Sequence, residues 1–163
     1  MNVREFFVKC WKREEPKFGK VLRALPPDRL SYRPHERSAS AGELAFQLAE
    51  EQRVLNEMLD TGEVHWEMER RPHPATMEEI IAAWDVHTEA LRKRIEALDD
   101  AKWNGKVTFF LDGKPAGSAT AEEYLWGFLH DMIHHRGQLT VYIRPMGGKV
   151  PGIYGPSADD MGG

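Results

Sequence analysis

Three histidines and an aspartate crowd into the short run His130-Asp131-Met132-Ile133-His134-His135, followed directly by Arg136. A neutral imidazole nitrogen binds divalent metals, and two ligands at i and i+4 on one helix can share an ion. Two such pairs are present: His130 with His134, and Asp131 with His135. They cannot face a core equally. At about 100° per residue, Leu125, Leu129, Met132, Leu139 and Ile143 define one apolar stripe. His135 falls roughly 80° from its centre line and Asp131 roughly 120° on the same side, whereas His130 lies about 140° away on the other flank. His134 points nearly opposite the stripe. Helical phase therefore favours Asp131/His135, although two imidazoles are chemically the more attractive pair. Arg136 falls almost on the centre of the stripe, where a charge needs a partner.

An earlier segment offers groups to face these. Gln47 and Glu51 sit one turn apart within the apolar stripe of Leu44, Leu48, Val54 and Met58. They could complete the ligands of an ion. Equally, Glu51 could pair with Arg136 and Gln47 with His135, as a polar cluster in a core with no ion. Both readings stand at this point. His35, His65, His73 and His87 have no matching neighbour and read as loop or surface residues, and Cys10 among Phe6, Phe7 and Trp11 reads as a buried thiol.

Four helices are predicted to position these groups. The first runs from about Val3 to Leu25, with Pro16 predicting a kink or break and Pro26-Pro27 an end. The second begins at Ser40 or Ala41 and stops near Asp60, before Gly62. A polar connection through Arg70-Arg71-Pro72-His73-Pro74 leads to Thr76-Met77-Glu78-Glu79, a capping box that opens the third. Its apolar face is Met77, Ile80, Ile81, Trp84, Leu91, Ile95 and Leu98. From Trp103 to Ser118 the period changes. Val107-Thr108-Phe109-Phe110 and the turn dipeptide Asp112-Gly113 predict a short β-hairpin. A second capping box, Thr120-Ala121-Glu122-Glu123, starts the last helix, which reaches about Met146 before Gly147-Gly148. The tail through Pro151, Gly152, Tyr154, Gly155 and Pro156 is predicted to be extended. The fold class is all-α: a four-helix bundle with a small β-hairpin before the last helix, forming one domain over 1–163.

Composition narrows the function. With 41% hydrophobic and 29% charged residues in 163, the chain suits one soluble domain. A net charge of -4 without a Lys/Arg stripe argues against nucleic acid. No apolar run approaches the roughly 20 residues that span a bilayer. A lone cysteine excludes an internal disulfide framework and fits a reducing compartment, so the cytoplasm is expected.

The run His130-Asp131-Met132-Ile133-His134-His135-Arg136-Gly137-Gln138-Leu139, continuing through Tyr142 to Pro151 and Ile153-Tyr154-Gly155-Pro156-Ser157, resembles the DinB/YfiT-like superfamily. So does Ser40-Ala41-Gly42-Glu43-Leu44-Ala45-Phe46-Gln47-Leu48-Ala49. The resemblance implies a bundle of up-down-down-up topology, often a homodimer, holding zinc or nickel on three histidines. It implies a metal-dependent enzyme of hydrolase or thiol-dependent transferase type, acting on a small molecule or a low-molecular-weight thiol. Here Gln47 takes the place of the usual second-helix histidine. Aligning the histidine before Arg-Gly-Gln gives the set Gln47, Asp131 and His135; a register one residue earlier gives Gln47, His130 and His134. Glu51 or a free histidine is then the nearest general base. The alternative is a non-catalytic bundle without metal that binds a small ligand or acts through dimerisation.

Overall fold

The computed structural model describes residues 2–69 and 71–161; Met1, Arg70, Gly162 and Gly163, which fall within the expected domain and in Arg70's case within the polar connection, lie outside the described residues. Among the described residues the chain is mostly helical, with five α-helices and a three-stranded sheet. In chain order these are α1 (Val3–Ala24), α2 (Ala41–Thr61), β1 (Glu63–Trp66), α3 (Met77–Glu96), the short α4 (Asp100–Trp103), β2 (Lys106–Leu111), β3 (Lys114–Thr120) and α5 (Ala121–Ile143).

All four long helices start at capping boxes: Asn2 with Glu5, Ser40 with Glu43, Thr76 with Glu79 and Thr120 with Glu123. Each box satisfies end amides that no helical carbonyl can reach. The break expected at Pro16 does not occur, and α1 runs through it. Pro16 lies on the exposed face, so the loss is confined to one backbone bond. Phe7, Trp11, Phe18, Val21 and Leu22, all fully buried, hold the helix on either side. At the other end of the chain, regular helix in α5 stops at Ile143, and Gly147 turns the backbone at φ 89°, a region open to glycine.

The long helices share one core: α1 and α2 each pack against both α3 and α5. Aromatic contacts of Phe7 with Trp11, Trp103 and Trp126, and of Phe18 with Trp84, fill its α1 side.

The expected hairpin is part of a larger sheet. β2 and β3 pair antiparallel across Asp112-Gly113, both at positive φ (48° and 74°) as the tightest hairpin turns require. A further strand, β1, pairs parallel to β2 with Val64 opposite Phe109. It leaves α2 at Gly62, whose φ of 73° makes the left-handed helix end and whose carbonyl accepts from Thr108 N at 3.0 Å. The tail also departs from expectation. It folds back in bends because two carboxylates tie it down: Asp160 accepts from Gly152 N and Lys20 Nζ, and Asp159 from Val150 N and Arg144 Nε. No described helix is long and apolar enough to cross a membrane.

The connection before α3 rests on α2 at one close approach. A Cβ on Gly42 would lie 2.7 Å from the His73 ring, which Pro74 O holds through His73 Nδ1 at 2.7 Å. His73 is therefore half-buried packing rather than surface. Gly42→Ala is expected to destabilise by about 1–3 kcal/mol through overpacking. Thermal melts check this, and Gly42→Ala/His73→Ala should restore most of the loss; equal melting temperatures for parent and single variant would refute the contact.

Candidate metal centre

Two antagonistic helix faces build the site. On α2, Gln47 and Glu51 stand one turn apart; on α5, Asp131 and His135 do the same. Glu51, Asp131 and His135 each bring one ligand atom to within 4.8 Å of the others. His135 Nε2 lies 2.6 Å from Gln47 Nε2, 3.4 Å from Asp131 Oδ2 and 3.8 Å from Glu51 Oε1. Gln47 Nε2 also donates to Glu51 Oε1 at 3.0 Å.

The ring of His135 is held by a residue that sequence reasoning passed over. Gln138 Oε1 lies 2.8 Å from His135 Nδ1, which leaves the proton on Nδ1 and the Nε2 lone pair aimed into the cluster. Gln47 can then donate to that lone pair. The signal was available, since Gln138 follows His135 at i+3 on the same face. Metal-ligating histidines are oriented by such partners.

Burial separates the carboxylates. Glu51 is fully buried, whereas the Asp131 side chain is 51% exposed and marks the mouth of the site. Among the described residues no donor meets Glu51 Oε2. Burial first, then the negative charge and the carboxyl of Asp131, push the Glu51 pKa well above the usual carboxylate range. A protonated Glu51 carboxyl, with Asp131 as its neighbour, would satisfy both.

His130 and His134 stay outside this group. His130 is exposed and stacks on Trp126, and His134 is exposed, its ring edge-on to His135 at 5.3 Å. The pairing of Glu51 with Arg136 does not form either. Arg136 is buried, but it points to α1 and the tail, donating to Glu14 Oε2 at 2.7 Å and to Tyr154 Oη at 2.6 Å. His35 is exposed on its loop, and Cys10 is only half-buried.

Two openings flank the centre. A cavity of about 390 Å³ between α2 and the β1 segment includes Phe46, Gln47 and Trp66 in its wall. A more open groove of about 490 Å³ includes Tyr124, Phe128 and Asp131. The Trp66 and Phe128 rings meet edge-on, 6.2 Å apart, between them.

The chain has relatives in sequence and fold. YrdA of Bacillus subtilis (strain 168), described as uncharacterised, is 26% identical over 161 residues, covering 96% of this chain and 90% of its own length. A DinB-like protein of Bacillus cereus ATCC 10987 superposes with a TM-score of 0.75 at 23% identity, over 92% of this chain and 97% of that one. YjoA, a DinB-like protein of Bacillus subtilis, gives 0.66 at 19% identity, over 86% and 92%. At such identities the structures speak to the fold alone. The sequence matches the DinB family over residues 1–162, and the chain belongs to that family.

Proposed function

We propose that the chain is a divalent-metal-dependent enzyme of hydrolase or thiol-transferase type, with the ion held by Glu51, Asp131, His135 and Gln47. One observation carries this reading: a fully buried carboxyl with an unpartnered oxygen converges with a second carboxyl and an oriented imidazole. A buried carboxylate without donors is costly unless protonated or bound to a cation. The donors fit zinc or nickel, though one nitrogen with oxygens is a harder set than three imidazoles. Gln47 would contribute its amide oxygen in place of the Nε2 that now meets Glu51 and His135.

Such an ion lowers the pKa of a bound water or thiol towards neutrality. The side chains divide the remaining work. Glu51 would hold the ion as a carboxylate, and its second oxygen would be the nearest base. Gln138 holds the His135 tautomer, and half-exposed Asp131 faces the incoming substrate. The same reading takes the four long helices as an up-down-down-up bundle. Supporting it, α1 meets α5 in the same sense (Phe7 with Trp126, Glu14 with Arg136). It meets α3 in the opposite sense (Lys12 with Glu96, Arg23 with Asp85). A cytoplasmic homodimer acting on a small molecule or low-molecular-weight thiol completes the proposal.

A non-catalytic reading has one observation in its favour: Gln47 already bonds both Glu51 and His135, so the cluster closes without an ion. Elemental analysis of protein purified without a His tag, after equilibration with zinc or nickel, divides the two. Stoichiometric metal and a raised melting temperature are expected. Gln138→Ala should weaken the affinity about 10–100-fold by releasing the ring. A parent that holds no ion while Gln47→His holds one would assign this chain to the non-catalytic reading.

A further inference from the structure

The cavity beside Gln47 has a chemical character of its own. Its volume, about 390 Å³, suits a small organic molecule rather than a water or a lone ion. Phe46 and Trp66 are half-buried in its wall, and Met68 stands at its rim with 71% of its surface exposed. The charges are lopsided: the described lining holds five glutamates and two arginines.

Both arginines already face carboxylates. Arg53 Nε and Nη2 donate to Glu50 and Nη1 donates to Glu57 at 2.6 Å. Arg71 is held by Glu50 at 3.3 Å and Glu67 at 3.9 Å. A carboxylate or phosphate entering the cavity would compete with the glutamates for these guanidiniums while facing Glu69. Glu69 has no ion pair among the described residues. Aromatic faces beside carboxylates favour a cation instead, since ring quadrupole and charge attract it together.

We propose that this cavity is the substrate pocket of the metal centre and that it selects an organic cation, with a flat or alkyl body against Phe46 and Trp66 and a protonated amine towards the glutamates. The inference rests on the metal-enzyme reading for its placement. Gln47 lines the cavity and bonds His135, and the Trp66–Phe128 contact carries the wall on to the groove at Asp131. The fully buried Glu51, with its unpartnered oxygen, lies one turn beyond Gln47.

A matched pair of probes tests it. Tryptamine and indole-3-propionate share a ring system and differ in the sign of the terminal charge. Calorimetric titration of the full chain, with zinc and again with EDTA, should show tryptamine bound at least tenfold more tightly. Trp66→Ala should weaken tryptamine by about tenfold. Glu69→Lys, at an exposed position that leaves the core intact, should weaken it too and narrow the preference, which keeps the test valid where Trp66→Ala unfolds. Equal binding of both probes, or a preference for the propionate, overturns the inference even where zinc is held. Tryptamine preference persisting in a chain that holds no metal would sustain the pocket and sink the metal-enzyme reading.

Discussion

Glu51→Gln is expected to stabilise the metal-free protein above pH 5 and to remove most of its metal affinity. The two effects share one cause. In the folded chain, burial and then the Asp131 charge keep a proton on Glu51 at pH values where an unfolded glutamate, with a pKa near 4.5, has lost it. The folded state therefore binds more protons than the unfolded one across the window above pH 4.5, and stability falls as pH rises through it. The slope from this one group approaches about 1.4 kcal/mol per pH unit until the folded carboxyl also ionises. Glutamine has the shape of the protonated acid. Its oxygen can still accept from Gln47 Nε2, and its amide can donate to Asp131, but it never titrates. Melts in EDTA should give equal temperatures near pH 4.5 and a gap in favour of the variant that widens as the pH rises above it. Each kcal/mol recovered adds about 2–4 °C in a chain of this size. With zinc or nickel present the order should reverse, because only the parent can release a proton to form the anionic ligand. A variant gap independent of pH would show that Glu51 is already ionised in the fold.

Much of the architecture is written in short local signals. Thr76 with Glu79 and Thr120 with Glu123 announce two helix starts directly, and Gly62 and Gly147 mark ends where the backbone turns left-handed. Helical phase places Asp131 and His135 on one flank of α5, and these two do face Gln47 and Glu51. Phase cannot give what depends on a third element. The strand β1 is four residues long, begins one residue after a helix, and buries only Val64. It has no alternation to read, and its existence rests on parallel pairing to a partner some forty positions later. The tail shows the same limit. Nothing local in Gly152 or Ser157 says that Asp160 and Asp159 will bend the chain back on itself.

The partner of Arg136 was the least legible contact and yields the other large expectation. Its central phase on α5 shows only that the charge is buried. The carboxylate that meets it, Glu14, is 122 residues away on α1, two positions before a proline that suggests a broken helix. The cluster is dense. Glu14 accepts from Arg136, Tyr154 and Lys17 at 2.7, 2.7 and 2.8 Å, and the guanidinium stacks over Phe18 and Tyr154. Burial alone would raise the Glu14 pKa, but hydrogen bonds from Lys17, Arg136 and Tyr154 outweigh it and hold the carboxyl below its usual value. Its contribution is therefore complete above the ordinary carboxylate range and is lost as pH falls through the folded pKa. Glu14→Ala leaves a guanidinium buried without its countercharge, which costs about 3–5 kcal/mol. A fall in melting temperature of the order of 10 °C follows. Removing both charges should be far milder: Glu14→Leu/Arg136→Met, filling similar volume with apolar atoms, should recover most of the loss, because desolvating the pair cancels much of its attraction. A double variant as unstable as the single one would mean that Arg136 matters for holding Tyr154 and the tail, rather than for its charge pair with α1.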